Sequence, residues 1–314
     1  MKLLSYQLKK SAASPRVGFM LHDKIVDMQE AWCLWRRSRQ ENDLADAAEQ
    51  FFPSDPTRFY AAGDFVISQA KEAAAFVQTT NMEDSCFSRE DVHLLTPVPE
   101  PSKIICIGKN YAEHAAEMKS DVPDYPVLFA KFANCLIGPE DAIEKSPKTC
   151  KLDYEVELTA VIGKEASQVR RENALDYIAG YTIGNDTSAR DLQKRTPQWL
   201  QGKTLDRSTP VGPWIVTADE VGDPGNLKIQ SLVNGNVRQS SSTSKLIFDV
   251  PFLIAFISGL ITLKPGDLIM TGTPHGVAMG MDTPLYLCDG DVVTMEIENI
   301  GRMENNVTDY KTPN

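Results

Sequence analysis

Residues 151–162 constrain this chain more than any other stretch. They read Lys-Leu-Asp-Tyr-Glu-Val-Glu-Leu-Thr-Ala-Val-Ile, with apolar and polar residues alternating. A period of two is the signature of a strand. It puts Leu152, Tyr154, Val156 and Leu158 on one face and Asp153, Glu155, Glu157 and Thr159 on the other. Side chains two apart on one face stand about 6.5–7 Å from each other. Glu155 and Glu157 can therefore converge above the sheet. Neighbouring carboxylates repel one another, and a divalent cation turns that repulsion into chelation. The pattern alone leaves two readings open: a half-buried strand with a solvated acidic face, or the floor of a metal site.

Composition narrows the setting. The 314 residues are 42% hydrophobic and 24% charged, enough for a full core, and the net charge of −11 argues against a nucleic-acid partner. No apolar run reaches the roughly 20 residues of a membrane span. The most apolar region, residues 246–263, is interrupted by Asp249 and Ser258, so we expect a core helix there. The first residues lack a signal-peptide core. The six cysteines are scattered without a CxxC pair, which fits reduced thiols in a cytoplasmic protein rather than disulfides or zinc.

In chain order, residues 3–8, 16–21 and 24–27 read as short strands with a turn at His22-Asp23. Residues 29–52 read as one helix anchored by Trp32, Trp35 and Leu44. Residues 64–78 read as a second, with Phe65, Ala70 and Ala74 on its apolar side. The proline-rich segment 94–102 marks a domain boundary, giving a small N-terminal domain over 1–95 and a larger one over 96–314. In the second part, residues 104–108 and 126–131 read as strands around a helix at 112–118. On that helix His114 and Glu117 stand at i and i+3, the make-up of a general base and its orienting carboxylate, or of a plain surface pair. Residues 169–179 read as helical. The strand 181–186 ends in Asn185-Asp186, and residues 187–193 start a helix. Asp186, Arg190 and Gln193 would share one stripe of it, with Asp186 either a helix cap or a ligand. Lys203 sits in a Gly-Lys-Thr, but no glycine lies five residues upstream, so this is not a phosphate-binding loop. Asn234-Gly235 signals a hairpin. The loop 272–276 offers free main-chain N–H groups to a ligand oxygen.

Five stretches then fall in order: Ile105-Cys106-Ile107-Gly108-Lys109-Asn110-Tyr111-Ala112-Glu113-His114, Asp153-Tyr154-Glu155-Val156-Glu157-Leu158, Asn185 through Gln193, Gly202-Lys203-Thr204-Leu205-Asp206, and Thr271-Gly272-Thr273-Pro274. Together they resemble the fumarylacetoacetate hydrolase family over residues 98–314. Asp191-Leu192-Gln193-Lys194-Arg195 is closest to its oxaloacetate-decarboxylase-like and oxaloacetate-acting branches. The resemblance implies an α+β, predominantly β fold, with mixed β-sheets rolled around the site, a smaller N-terminal α+β domain, and a homodimer. It assigns Mg²⁺ or Mn²⁺ to Glu155, Glu157 and Asp186. It makes His114 and Glu117 a lid dyad and Lys203 the site lysine, and turns Arg190, Gln193 and Thr273 toward substrate. Lys131, at the end of its strand, joins them as a candidate. Two positions depart from the common pattern, Lys245 and His275, and both are candidates to face substrate.

Three carboxylates without His or Cys select a hard cation. Such an ion can chelate an α-keto acid, and with Lys203 it would stabilise an enolate. Decarboxylation of oxaloacetate needs no base. Hydrolysis of an acylpyruvate, fumarylpyruvate for example, needs His114–Glu117 to activate water. Tautomerisation or isomerisation of a 2-oxo or hydroxydiene acid needs only a proton shuttle. We expect a lyase or hydrolase of C–C bonds, with an isomerase or tautomerase next and a non-catalytic binding homologue as the contrasting class.

Overall fold

A computed structural model describes residues 1–11, 13–80 and 86–311. The chain is α+β and built on one 12-stranded sheet. Across this sheet the strands run Cys86–Ser88, Lys24–Asp27, Arg16–Leu21, Lys2–Leu8, Thr209–Thr217, Ile178–Asn185, Val156–Ile162, Leu268–Met270, Ile104–Gly108 and Val127–Lys131, with two short strands off this path. Most neighbours are antiparallel; Leu268–Met270 and Ile104–Gly108 pair in parallel. A second sheet of five strands holds Asn236–Ser242, Lys228–Val233, Val292–Ile297, Gly301–Asp309 and Ile143–Lys145. The Asn234-Gly235 hairpin turn joins the first two. Both residues have positive φ, as a tight two-residue turn between twisted strands requires.

Val156–Ile162 lies near the middle and is buried along its whole length. Its alternation holds, but both faces are interior. Leu158, Ala160 and Ile162 pack with the five-stranded sheet and the Val250–Leu260 helix. Val161, on the other face, packs with the N-terminal helices. The large sheet is thus the middle of three layers, and the acidic face is covered rather than solvated. Each fully buried Leu or Ile contributes about 1.5–3 kcal/mol, so this strand is held firmly.

Main-chain pairing crosses the expected boundary near residue 96. Leu3 of the first strand pairs with Ile215, and the N-terminal core includes Val98, Ile104, Val211, Ile215, Leu268 and Met270.

Several local expectations are corrected. The single helix at 29–52 is three: Met28–Ser38, Asn42–Asp46 and Ala48–Phe51. Trp32 is its buried anchor, stacked on Phe52 at 5.0 Å, whereas Leu44 lies at the surface. The Asp64–Gln78 helix buries Ala70 and Ala74 but exposes Phe65, which sits in its first turn beyond the packing face. Residues 169–179 form a short 3₁₀ helix, Arg171–Tyr177, before the next strand begins at Ile178. The Gly301–Asp309 strand has no counterpart in the sequence reading.

Candidate metal centre and cavity

The stretch 151–162 is not one strand. Leu152–Asp153 pairs with Ser188–Ala189, and the ladder resumes at Val156 opposite Asn185. Between them Glu155 O accepts from Asp186 N at 2.9 Å, and Glu155 N donates to Asn185 Oδ1 at 3.0 Å. That side-chain bridge interrupts the regular ladder and sets Glu155 against Asp186. Asp186 stands at the end of the Ile178–Asn185 strand and caps no helix, because the next helix starts only at Arg190. Glu157 lies one pleat further on, opposite Gly184. Its Oε2 accepts from Gly272 N at 2.8 Å. Gly272 has φ +103°, and a Cβ there would come within 2.8 Å of Asn110 Cβ, so only glycine gives this loop its approach. Glu155, Glu157 and Asp186 each offer an oxygen within 4.8 Å of the others, and all three are buried.

Cations surround two of these acids. Lys203 Nζ donates to Glu155 Oε2 and Asp186 Oδ2, both at 2.6 Å. Lys131 Nζ donates to Asp186 Oδ1 at 2.7 Å. Arg190 donates to Glu155 Oε1 at 2.7 Å, to Asp153 Oδ2 at 2.8 Å and to Gln193 Oε1 at 3.1 Å. Burial alone would raise the Glu155 carboxyl, but Arg190 and Lys203 outweigh it and hold it well below its usual value. Burial works to lower Lys203, yet Asp186 and Glu155 keep it above the ordinary lysine value, so it remains an ammonium. Glu157 is the odd member. Burial, then Asp186 and Glu155, push its carboxyl well above the normal range. Among the described residues its one hydrogen bond is the Gly272 N–H.

That imbalance tests the metal. A buried carboxylate with one neutral donor and two acidic neighbours lacks a positive charge, and the three oxygens lie close enough to share one. The donors are oxygen only, which suits Mg²⁺ or Mn²⁺ and not a thiophilic ion. The residues present therefore fit a hard divalent cation.

The structure places the other sequence-predicted residues as follows. His114, Arg190, Gln193, Lys203 and Thr273 line one cavity of about 470 Å³ with the three acids. Arg190 and Gln193 are buried there rather than lying on the surface. Thr273 lines it too, but its hydroxyl already donates to Val156 O at 3.0 Å and accepts from Gln239 at 2.8 Å. Lys131 does not line the cavity; it lies behind Asp186, fully buried. Glu117 lies behind His114 on the Ala112–Glu117 helix, with its Oε2 3.1 Å from His114 Nδ1. Its Oε1 accepts from Gly276 N at 2.9 Å. A carboxylate only accepts, so Nδ1 carries the proton and Nε2 is the nitrogen left for a ligand. Lys245 and His275 do not face the cavity. Both meet Glu113 on the outer side of the same helix, Lys245 Nζ at 2.8 Å and His275 Nδ1 at 2.9 Å, the latter out of line for a hydrogen bond.

Sequence reasoning missed several residues. Alternation puts Asp153 on the face of Glu155 and Glu157, without a role; it turns away from them, bonding Arg190 and the amides of Ala278 and Met279. Gln239 ties Val156 N to Thr273 and Pro274 O. Phe129 and Trp199 pack edge to face at 5.2 Å on the cavity wall, with Lys203 Nζ 4.9 Å from the Phe129 ring centre. Nothing in the spacing of Gln239 or Trp199 signals these roles, which depend on strands far apart in sequence.

Fold and cavity together define a class: a β-rich protein whose central sheet carries an all-carboxylate cluster on a cavity floor, with His114 of a short helix in the same lining. The chain belongs to the fumarylacetoacetate hydrolase family, whose C-terminal domain matches residues 103–308. It is 40% identical over 317 residues to a fumarylacetoacetate hydrolase domain-containing protein 2 homolog of Dictyostelium discoideum, covering 98% of this chain and 97% of that one. It is 40% identical over 298 residues to the oxaloacetate tautomerase YisK of Bacillus subtilis, covering 93% and 95%. A maleylpyruvate hydrolase from Sphingobium, solved with manganese(II) and pyruvate, superposes with a TM-score of 0.75 at 29% identity, covering 99% of this chain and 100% of that one. No helix among the described residues is long and apolar enough to cross a membrane.

Proposed function

We propose that this chain is a Mg²⁺- or Mn²⁺-dependent enzyme that interconverts the keto and enol forms of an oxaloacetate-like α-keto acid. The observation that carries this reading is the buried Glu155–Glu157–Asp186 cluster on a cavity floor, with Lys203 and Arg190 beside it and His114 in the same lining. Near-full-length likeness to a tautomerase supports it over the decarboxylase expected from sequence. In this reading the three acids hold the ion, which supplies a Lewis acid for the keto acid's oxygens. Lys203, kept as an ammonium, stabilises negative charge developing on the keto oxygen. Gln193 and Arg190 orient the substrate carboxylate. His114 Nε2 takes a proton from the carbon beside the keto group and returns one to the oxygen, while Glu117 holds Nδ1–H and with it the ring's tautomer.

Hydrolysis of an acylpyruvate is the second reading. The His114–Glu117 pair favours it, because the same nitrogen can activate water against a distal ketone. Both readings go with a homodimer and a cytoplasmic location. The test follows enol disappearance and pyruvate release in parallel, with oxaloacetate and with an acylpyruvate, in Mg²⁺ or Mn²⁺. We expect enol–keto exchange to outrun pyruvate release from either substrate. In His114→Ala, exchange and hydrolysis should be lost while any decarboxylation persists. Faster pyruvate release from the acylpyruvate would replace the first reading with the second. Normal ion binding without turnover of either would leave a binding protein.

A further inference from the structure

The cavity contains more positive charge than its floor uses. Lys203 and Arg190 are both committed to the acids of the floor. Two further lysines line the same cavity, Lys109 and Lys194, and among the described residues neither side-chain ammonium makes a hydrogen bond or an ion pair. They approach from different elements. Lys109 is the first of three residues between the Ile104–Gly108 strand and the Ala112–Glu117 helix, and it has φ +57°. A lysine in the left-handed region is uncommon, and such strain collects where a side chain must be aimed. Lys194 follows the Arg190–Gln193 turn, its amide donating to Arg190 O at 3.2 Å. One short helix thus supplies Arg190 and Gln193 to the floor and, four residues after Arg190, a lysine to the wall. The rest of the wall is mixed, with Ile107, Phe129, Trp199 and Met279 beside Ser120 and Thr196. The molecule as a whole carries −11, so a dianion entering it meets a repulsive field unless local cations offset it.

We propose that Lys109 and Lys194 form the subsite for a second, distal carboxylate, so that the cavity selects α-keto diacids over α-keto monoacids. The proposal rests on the reading of this cavity as an α-keto acid site. The floor takes the keto acid end, which every candidate substrate shares. The two unpaired ammonium groups then decide among substrates by what stands at the other end. Lys109 is half-buried and Lys194 exposed, so solvent screens the pair in part, but charge-assisted hydrogen bonds are about twice as strong as neutral ones and two of them suffice to discriminate.

The test uses the full chain loaded with Mn²⁺ and two ligands of equal length, 2-oxoglutarate and 2-oxopentanoate, which differ by a carboxylate in place of a methyl. Calorimetric binding should favour the diacid by roughly tenfold or more in the wild type. Lys109→Met and Lys194→Met should each shrink that preference, and the double variant should abolish it without weakening 2-oxopentanoate. Lys→Arg at either position should retain it. In the same variants the KM for oxaloacetate should rise far more than kcat falls. An undiminished preference in the double variant overturns the proposal, as does equal weakening of both ligands. A lysine-dependent preference in a protein that turns over no keto acid upholds the subsite and discards the catalytic reading. Turnover of oxaloacetate with a preference indifferent to the lysines does the reverse. Failure of both acids to bind overturns both.

Discussion

Glu157 has the least balanced surroundings of any acid in the centre, and its substitution separates ion binding from folding. Glu157→Gln removes one of the three negative charges that would hold the ion, so Mn²⁺ affinity measured by calorimetry should fall by at least about 100-fold. Without the ion, burial and the two neighbouring acids hold the Glu157 carboxyl well above its normal range, which costs stability at neutral pH, so the metal-free variant should melt above the metal-free wild type, by roughly 2 °C. Lys203 behaves oppositely. Lys203→Met leaves Glu155 and Asp186 without their shared ammonium, and breaking a buried pair in this way typically costs about 3–5 kcal/mol. Denaturant unfolding of the metal-free protein should show that loss, and turnover should drop by about 10²–10³ from the missing charge stabilisation. At this scale much of the site was legible. Glu155, Glu157 and Asp186 come together as the sequence motifs imply, because a strand, a strand end and a main-chain bond between them fix their positions. Asp153 was not legible. Alternation places it with the glutamates, and only the break at residues 154 and 155 turns it toward Arg190 and the 278–279 amides.

At the scale of elements, the Ala112–Glu117 helix is pinned on two sides. Asn110 at its start donates to Thr271 O at 2.7 Å and Phe248 O at 3.0 Å. On its outer face Glu113 meets Lys245 and His275. The hydrogen bond from Lys245 holds the Glu113 carboxyl below its usual value. A carboxyl lowered in the folded state stabilises above its unfolded pKa, and that contribution is lost as pH falls through the folded one. The latch is therefore intact at neutral pH and releases only as pH falls below the usual glutamate range. Because the pair is exposed its effect is modest, and Glu113→Gln should speed hydrogen exchange of the helix amides a few-fold at pH 7. The strand that ends at Asp186 tolerates less. A Cβ on Gly180 would lie 2.2 Å from Val216 O, in the backbone of the adjoining strand. Gly180→Ala must push Thr209–Thr217 aside, and should destabilise the protein by about 1–3 kcal/mol in denaturant unfolding. Strands with clear alternation and bounded turns were readable one by one. The helical expectation for residues 169–179 failed because its polar composition suits a turn as well as a helix, and the segment is too short for periodicity to decide.

For the whole molecule, the sequence showed a proline-rich link but not that strand pairing passes around it. The Lys2–Leu8 strand adds to the edge of Thr209–Thr217, a contact more than 200 residues away along the chain, and no local pattern announces such a pairing. Its consequence is testable by truncation. Residues 96–314 alone would expose the Thr209–Thr217 edge together with Val211, Ile215, Leu268 and Met270, now covered by the N-terminal helices. We expect that fragment to lack a cooperative thermal transition by calorimetry. The three acids are almost wholly buried on the cavity floor, and that burial is what makes converging carboxylates demand a cation. Anomalous diffraction from crystals grown with Mn²⁺ and oxalate addresses that demand without reference to turnover. One Mn²⁺ peak should stand among the carboxylates of Glu155, Glu157 and Asp186, and it should vanish in Glu157→Gln crystals grown alike. No peak there, or a peak ligated by other residues, would contradict the account.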